Sequence, residues 1–69
     1  NFSINNIDIN LICENPKVSR IRNKIIKSLS NLLSVNRNLI NLKGKTVEKL
    51  GIIGKEQAIA CEVICSLSK

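Results

Sequence analysis

The hydrophobic period of this chain changes twice between Ile7 and Lys43, and the order of those changes restricts the fold more than any other feature. Ile7, Ile9, Leu11 and Cys13 alternate with Asp8, Asn10 and Ile12, the period of two expected of a strand with one buried face. Glu14-Asn15-Pro16-Lys17 breaks the run, because Pro16 lacks a backbone donor and biases Asn15 away from helix. Val18, Ile21, Ile25, Leu29, Leu32 and Leu33 then recur mostly every three or four residues, with Ile26 widening the stripe. Arg20, Arg22, Asn23, Lys24, Lys27 and Asn31 occupy the other side. The pattern predicts an amphipathic helix over residues 19–33, with Ser19 as N-cap. After a polar loop at 34–38, Ile40 and Leu42 alternate with Asn41 and Lys43, which predicts a second strand.

A strand, a helix and a strand in that order form a crossover unit, whose strands run parallel and whose connection is right-handed. Residues 44–54 are turn-rich, with one helical turn expected at 47–50. Residues 58–67 are dense in β-branched and small apolar side chains and predict a third, largely buried strand. The expected fold is α/β (α+β): a β-α-β-turn-β piece of a mixed sheet with a helix on one face. Ligands of such sheets bind outside the carboxyl ends of parallel strands. The loops at 13–19 and 43–48 follow those ends and should share one edge.

Size bears on what completes this fold. Sixty-nine residues make one domain at most, 43% of them apolar, with Phe2 the single aromatic. Ordering each residue costs roughly 1–2 kcal/mol of backbone entropy, and so short a chain buries a small core. Contacts with chain outside this sequence, or with other subunits, are expected to stabilise it. The net charge of +6 suits an anionic partner. It also follows from a composition of ten Asn, twelve Ile and eight Lys, as an AT-rich genome would give. Cys13, Cys61 and Cys65 form no CxxC pair, so neither a zinc ribbon nor a disulfide framework is implied and a reducing interior is expected. There is no His, so a His-based general base or metal site cannot be completed within this sequence. No apolar run approaches the ~20 residues of a membrane span, and no signal peptide is visible.

The loop at 43–48 carries the better chemistry. Lys43 and Lys45 can neutralise phosphate, Gly44 permits close backbone approach, and Thr46 offers a hydroxyl. Glu48 is a hard oxygen ligand suited to Mg²⁺ or Mn²⁺ bridging phosphates. The same residues also make an ordinary polar turn. Gly44-Lys45-Thr46 has only the end of a Walker loop, since Leu39 stands where its first Gly belongs. Cys13 to Ser19 supplies backbone donors and acceptors beside a rigid Pro, enough to read a base edge or simply to connect a strand to a helix.

Two blocks, Asn6-Ile7-Asp8-Ile9 with Pro16-Lys17, and Asn41 through Thr46, Glu48, Lys49, Leu50 and Gly51 to Glu62, are similar to those of the methylerythritol cyclodiphosphate synthase family. They are co-linear with it, without a gap, over nearly the whole chain. The resemblance implies that residues 1–69 are the C-terminal part of a single synthase domain. That domain would be completed by an N-terminal half outside this sequence and by a homotrimer whose active sites lie between subunits. It implies a lyase of non-mevalonate isoprenoid biosynthesis that converts CDP-methylerythritol 2-phosphate to the cyclodiphosphate plus CMP. By resemblance, Cys13, Glu14, Asn15, Pro16, Lys17, Val18 and Ser19 form the cytosine pocket, and Lys45, Thr46, Val47 and Glu48 hold the diphosphate. Thr46 corresponds to a transition-state-stabilising Thr, and Glu48 to the ligand of the phosphate-bridging Mg²⁺ or Mn²⁺. The zinc ligands belong to the other half. Ile52 and Lys55 stand where a Phe and an Arg of the inner trimer channel are usual, and Lys45 where a hydroxyl is usual. An apicomplexan source would imply a plastid (apicoplast) location, any other a cytoplasmic one.

An RNA-binding KH-like module is the alternative from another class. Ile52-Ile53-Gly54-Lys55 is similar to the start of its glycine loop, but Gln57 replaces the second Gly. That module requires a helix over residues 58–67, whereas the synthase requires a strand there. A non-catalytic interaction domain with a decayed site is a third expectation, distinguished by failure to bind cytidine nucleotides.

Overall fold

In the computed structural model, which describes every residue except Pro16, Val47 and Glu48, β1 (Ser3–Ile12) leads to α1 (Val18–Leu33) and a 3-10 turn (Arg37–Leu39). β2 (Ile40–Lys45), the one-turn helix α2 (Gly51–Gly54) and β3 (Ala60–Ser68) follow. β1 is the middle strand of a sheet ordered β2-β1-β3. β2 runs parallel to it, Ile7 opposite Ile40 and Ile12 opposite Lys45. β3 runs antiparallel, Ile7 opposite Cys65 and Ile12 opposite Ala60. The expected strand-helix-strand crossover is present, as a parallel pair requires.

The pleat sorts β1 and β2 into two faces. Ile7, Ile9, Ile40 and Leu42 point to one face and meet Ile26 of α1, with Val18, Ile25 and Leu29 packed around them. On the other face, Asp8 accepts hydrogen bonds from the side-chain amides of Asn6 and of its cross-strand partner Asn41, at 3.3 and 3.2 Å, all exposed. One helix covers one face, and the molecule is a slab of 42 × 20 × 14 Å.

Three local expectations are corrected. α1 begins at Val18, with Lys17 extended at its N-cap and no side-chain capping bond, so Ser19 lies inside the first turn. Packing of Val18 against β2, rather than a hydroxyl, fixes where the helix starts. The helical turn expected at 47–50 falls partly outside the described residues. Lys49 has φ +62° and Leu50 is extended, so the helical turn is delayed to Gly51–Gly54. Gly54 closes it: a Cβ there would stand 2.1 Å from the Lys49 carbonyl carbon, so any side chain would break the bend. The third correction is burial. β3 is a strand but not a buried one, with Val63, Ile64 and Leu67 at 57%, 72% and 53% exposure. α1 sits chiefly over β2, which leaves the edge strand β3 without a covering layer among the described residues. The strand itself excludes the KH-like alternative, which needed a helix there.

Candidate functional site

The two loops that follow the carboxyl ends of the parallel strands lie side by side. The Cys13 N–H donates to the Lys45 carbonyl at 3.1 Å, so the ladder continues one step beyond Ile12 and holds both chain exits together. Farther along, the Lys49 N–H donates to Glu14 Oε1 at 3.0 Å. Lys45 turns its carbonyl toward β1, and backbone groups of alternate strand residues point to opposite edges. Leu42 and Gly44 therefore turn theirs to the open edge of β2. Arg22 occupies that edge, its Nε–H donating to the Leu42 carbonyl at 3.1 Å.

A cleft of about 290 Å³ opens here. Cys13, Lys17, Val18 and Ser19 line it from the first loop and the start of α1, Gly44, Lys45 and Thr46 from the second, and Leu42 and Arg22 from the strand and helix beneath. Its described lining carries three cations, Lys17, Arg22 and Lys45, and no carboxylate. Backbone groups, a hydroxyl and concentrated positive charge suit an anionic ligand with a polar edge. A second hollow of about 510 Å³ adjoins it through Lys17 and is lined by Glu14, Asn15, Lys49, Gly54, Lys55 and Glu56. Of the residues expected in a site, Cys13, Lys17, Val18, Ser19, Lys45 and Thr46 thus share the first cleft, and Glu14, Asn15 and Lys55 the second. Ile52 lines neither and is 64% exposed. Pro16, Val47 and Glu48 lie outside the described residues.

Sequence reasoning missed Arg22, leaving it on the solvated face of the helix. The signal was available: Arg22 is three residues beyond Ser19 and four beyond Val18, hence on the same side of α1.

Among the described residues no three His, Cys, Asp or Glu side chains converge on a common point. The carboxylate of Glu48 is the donor type Mg²⁺ and Mn²⁺ prefer, and Mg²⁺ commonly binds through one or two carboxylates plus substrate phosphates.

Gly44 sets the width of the cleft. A Cβ at this position would stand 2.6 Å from Val18 Cβ, an atom fixed to the helix backbone that cannot swing away. Gly44→Ala is expected to cost about 1–3 kcal/mol of stability through overpacking and to push the start of α1 off β2. Val18→Gly, which removes the clashing Cβ, should recover part of that loss in a double variant with Gly44→Ala, whereas Val18→Ala, which keeps it, should not. Thermal unfolding of the intact protein measures these changes, and a Val18→Gly double variant no better than Gly44→Ala alone would show that this contact does not set the spacing.

The YgbB family model matches residues 1–68. The bifunctional enzyme IspD/IspF of Pelagibacter ubique is 48% identical over 68 residues, covering 99% of this chain and 18% of that protein. The apicoplast 2-C-methyl-D-erythritol 2,4-cyclodiphosphate synthase of Plasmodium falciparum is 51% identical over 61 residues, 88% of this chain and 25% of that protein. Among solved structures, the CDP complex of IspF from Plasmodium falciparum superposes with a TM-score of 0.88 at 48% identity, over 97% of this chain and 42% of that one. The chain spans less than half the length of each of these relatives.

Proposed function

Because this chain belongs to the YgbB family, we propose that residues 1–69 are the C-terminal part of a 2-C-methyl-D-erythritol 2,4-cyclodiphosphate synthase domain. The observation that carries the reading is the cleft shared by the loops after β1 and β2, lined by Lys17, Arg22, Lys45 and Thr46. A relative of close fold binds CDP, and this cleft has the charge and the backbone edge to receive a cytidine diphosphate.

The reaction is a ring closure. An oxygen of the substrate's 2-phosphate attacks the β-phosphorus of its CDP group. The new P–O bond closes the cyclic diphosphate, and the bond from the β-phosphorus to the bridging oxygen breaks, its electron pair leaving with CMP. No proton must be abstracted from carbon and no covalent enzyme intermediate is needed, so positioning and charge neutralisation do most of the work. Cys13 to Ser19 hold the nucleoside end. Lys45 and Thr46 hold the diphosphate, and the Thr46 hydroxyl donates to an oxygen that gains charge at the reacting phosphorus. Glu48 would hold Mg²⁺ or Mn²⁺ through a carboxylate oxygen, and the zinc ligands would lie in the half outside this sequence. Divalent ions supply charge neutralisation and polarisation of the phosphoryl oxygens.

The exposed β3 and the polar face around Asp8 leave surface for the remaining half of the domain and for neighbouring subunits of a homotrimer. A plastid location follows if the source shares the apicoplast of the Plasmodium relative. The test is conversion of CDP-methylerythritol 2-phosphate by the full-length protein, followed by phosphorus NMR. The expected result is a cyclic diphosphate and one CMP per substrate. Failure of that protein to bind CMP at all would favour a decayed interaction domain instead.

A further inference from the structure

We infer that Glu14 is a positioning residue for the reaction: its carboxylate holds the far end of the loop that carries Thr46 and Glu48, and so sets where those two side chains act. This rests on the synthase reading above and goes beyond it, since that reading gives Glu14 only a place at the nucleoside end.

The loop is tied at both ends to successive residues of the chain leaving β1. At its near end the Cys13 N–H donates to the Lys45 carbonyl at 3.1 Å. At its far end the Lys49 N–H donates to Glu14 Oε1 at 3.0 Å. Residues 46–48 lie between the two ties, and they include both side chains assigned to the chemistry. Glu14 lines the second hollow rather than the cleft, so its carboxylate acts on the reacting groups through this loop.

Lys49 needs that tie. Its φ is +62°, a left-handed conformation that a residue with a Cβ keeps only where its surroundings fix it. Contacts from two sides do so. Glu14 supplies a carboxylate acceptor at the Lys49 N–H, and such a charge-assisted bond is roughly twice as strong as one between neutral groups. On the other side the backbone of Gly54 packs against Lys49, so closely that a Cβ on Gly54 would stand 2.6 Å from the Lys49 Cα. Gly54 is held in turn by its own N–H, which donates to the Leu50 carbonyl at 3.0 Å. Without the Glu14 carboxylate, the support at the Lys49 N–H is gone. A rotation about φ of Lys49 then swings residues 46–48 against the fixed turn that follows them.

The experiment compares Glu14→Ala, Glu14→Gln and Glu14→Asp in the full-length protein in its native assembly. Steady-state turnover, CMP titration and amide hydrogen exchange of the peptide containing Lys49 are measured for each. Glu14→Ala should speed exchange of that peptide and lower kcat at least about tenfold, because misplacing a catalytic group by about 1 Å costs up to about a hundredfold. CMP affinity should change little. Glu14→Gln keeps the reach and an acceptor oxygen, and should recover most of the rate and of the protection. Glu14→Asp keeps the charge but is one methylene shorter, and should recover little. The Gln and Asp variants decide the matter between them even where the Ala variant does not assemble. Recovery by Asp and not by Gln would make Glu14 act by charge, which overturns the inference. A Glu14→Ala protein that binds CMP weakly with kcat unchanged overturns it as well, and makes Glu14 a nucleoside contact. So does native-rate exchange of the Lys49 peptide in that variant. A native protein without turnover brings down the synthase reading itself, and this inference with it.

Discussion

Glu48→Gln in the full-length protein is expected to lower kcat by about a thousandfold or more, while subunit assembly and CMP binding stay intact. Glu48 is the only acidic residue between Glu14 and Glu56 in the sequence, and Lys43, Lys45 and Lys49 surround it. The amide keeps the size and one oxygen acceptor but removes the charge that would hold a divalent ion against the phosphates. Stabilisation of transition-state charge by such an ion is worth several kcal/mol. At about 1.4 kcal/mol per tenfold in rate, that is on the order of a thousandfold. Local charge alone predicts the reverse for binding: removing a carboxylate from a lysine-rich loop should hold CMP as well or better. Steady-state kinetics beside CMP titration separates the two, and retained turnover would remove Glu48 from the mechanism.

How far the sequence foretold this arrangement depended on whether a signal was local. The alternation of Ile7, Ile9, Ile40 and Leu42 was readable because those residues stand beneath α1 and are buried by this chain itself. The crossover that joins β1 to β2 then obliged the loops at 13–19 and 43–48 to emerge on one edge, as the Cys13–Lys45 hydrogen bond and the common cleft show. β3 misled because burial was read from composition. Val63, Ile64 and Leu67 are apolar for reasons that the packing of the described residues does not supply, since no layer among them covers these side chains. The start of α1 misled in another way. A hydroxyl at position 19 is a ready N-cap, but the close approach of Val18 to Gly44 puts the cap at Lys17, two residues earlier, and contacts between residues so far apart leave no trace in a local pattern. Arg22 was hidden for the same reason: only the open edge of β2 reveals what its guanidinium meets.

Thr46→Val should reduce kcat about a hundredfold while changing the KM of the substrate and the affinity for CMP little. Thr46 follows β2 directly and lines the cleft beside Lys45. Valine matches threonine in shape and branching, so the substitution deletes a donor and leaves the volume. A donor that meets the diphosphate equally before and during reaction would raise KM and spare kcat. A donor directed at an oxygen whose charge grows as the new P–O bond forms does the opposite, and loss of one such donor typically costs 10²–10³ in kcat. Lysine at position 45 sharpens the distinction. Its long side chain can neutralise the ground-state diphosphate from many positions, whereas the short hydroxyl of Thr46 acts from one. Lys45→Ala should therefore appear mainly in KM, Thr46→Val mainly in kcat, and Thr46→Ser, which keeps the hydroxyl, should retain most of the rate. If Thr46→Val instead raised KM with kcat unchanged, the hydroxyl would be an ordinary ligand contact, and stabilisation of the transition state would rest on the ion that Glu48 would hold and on groups outside this chain.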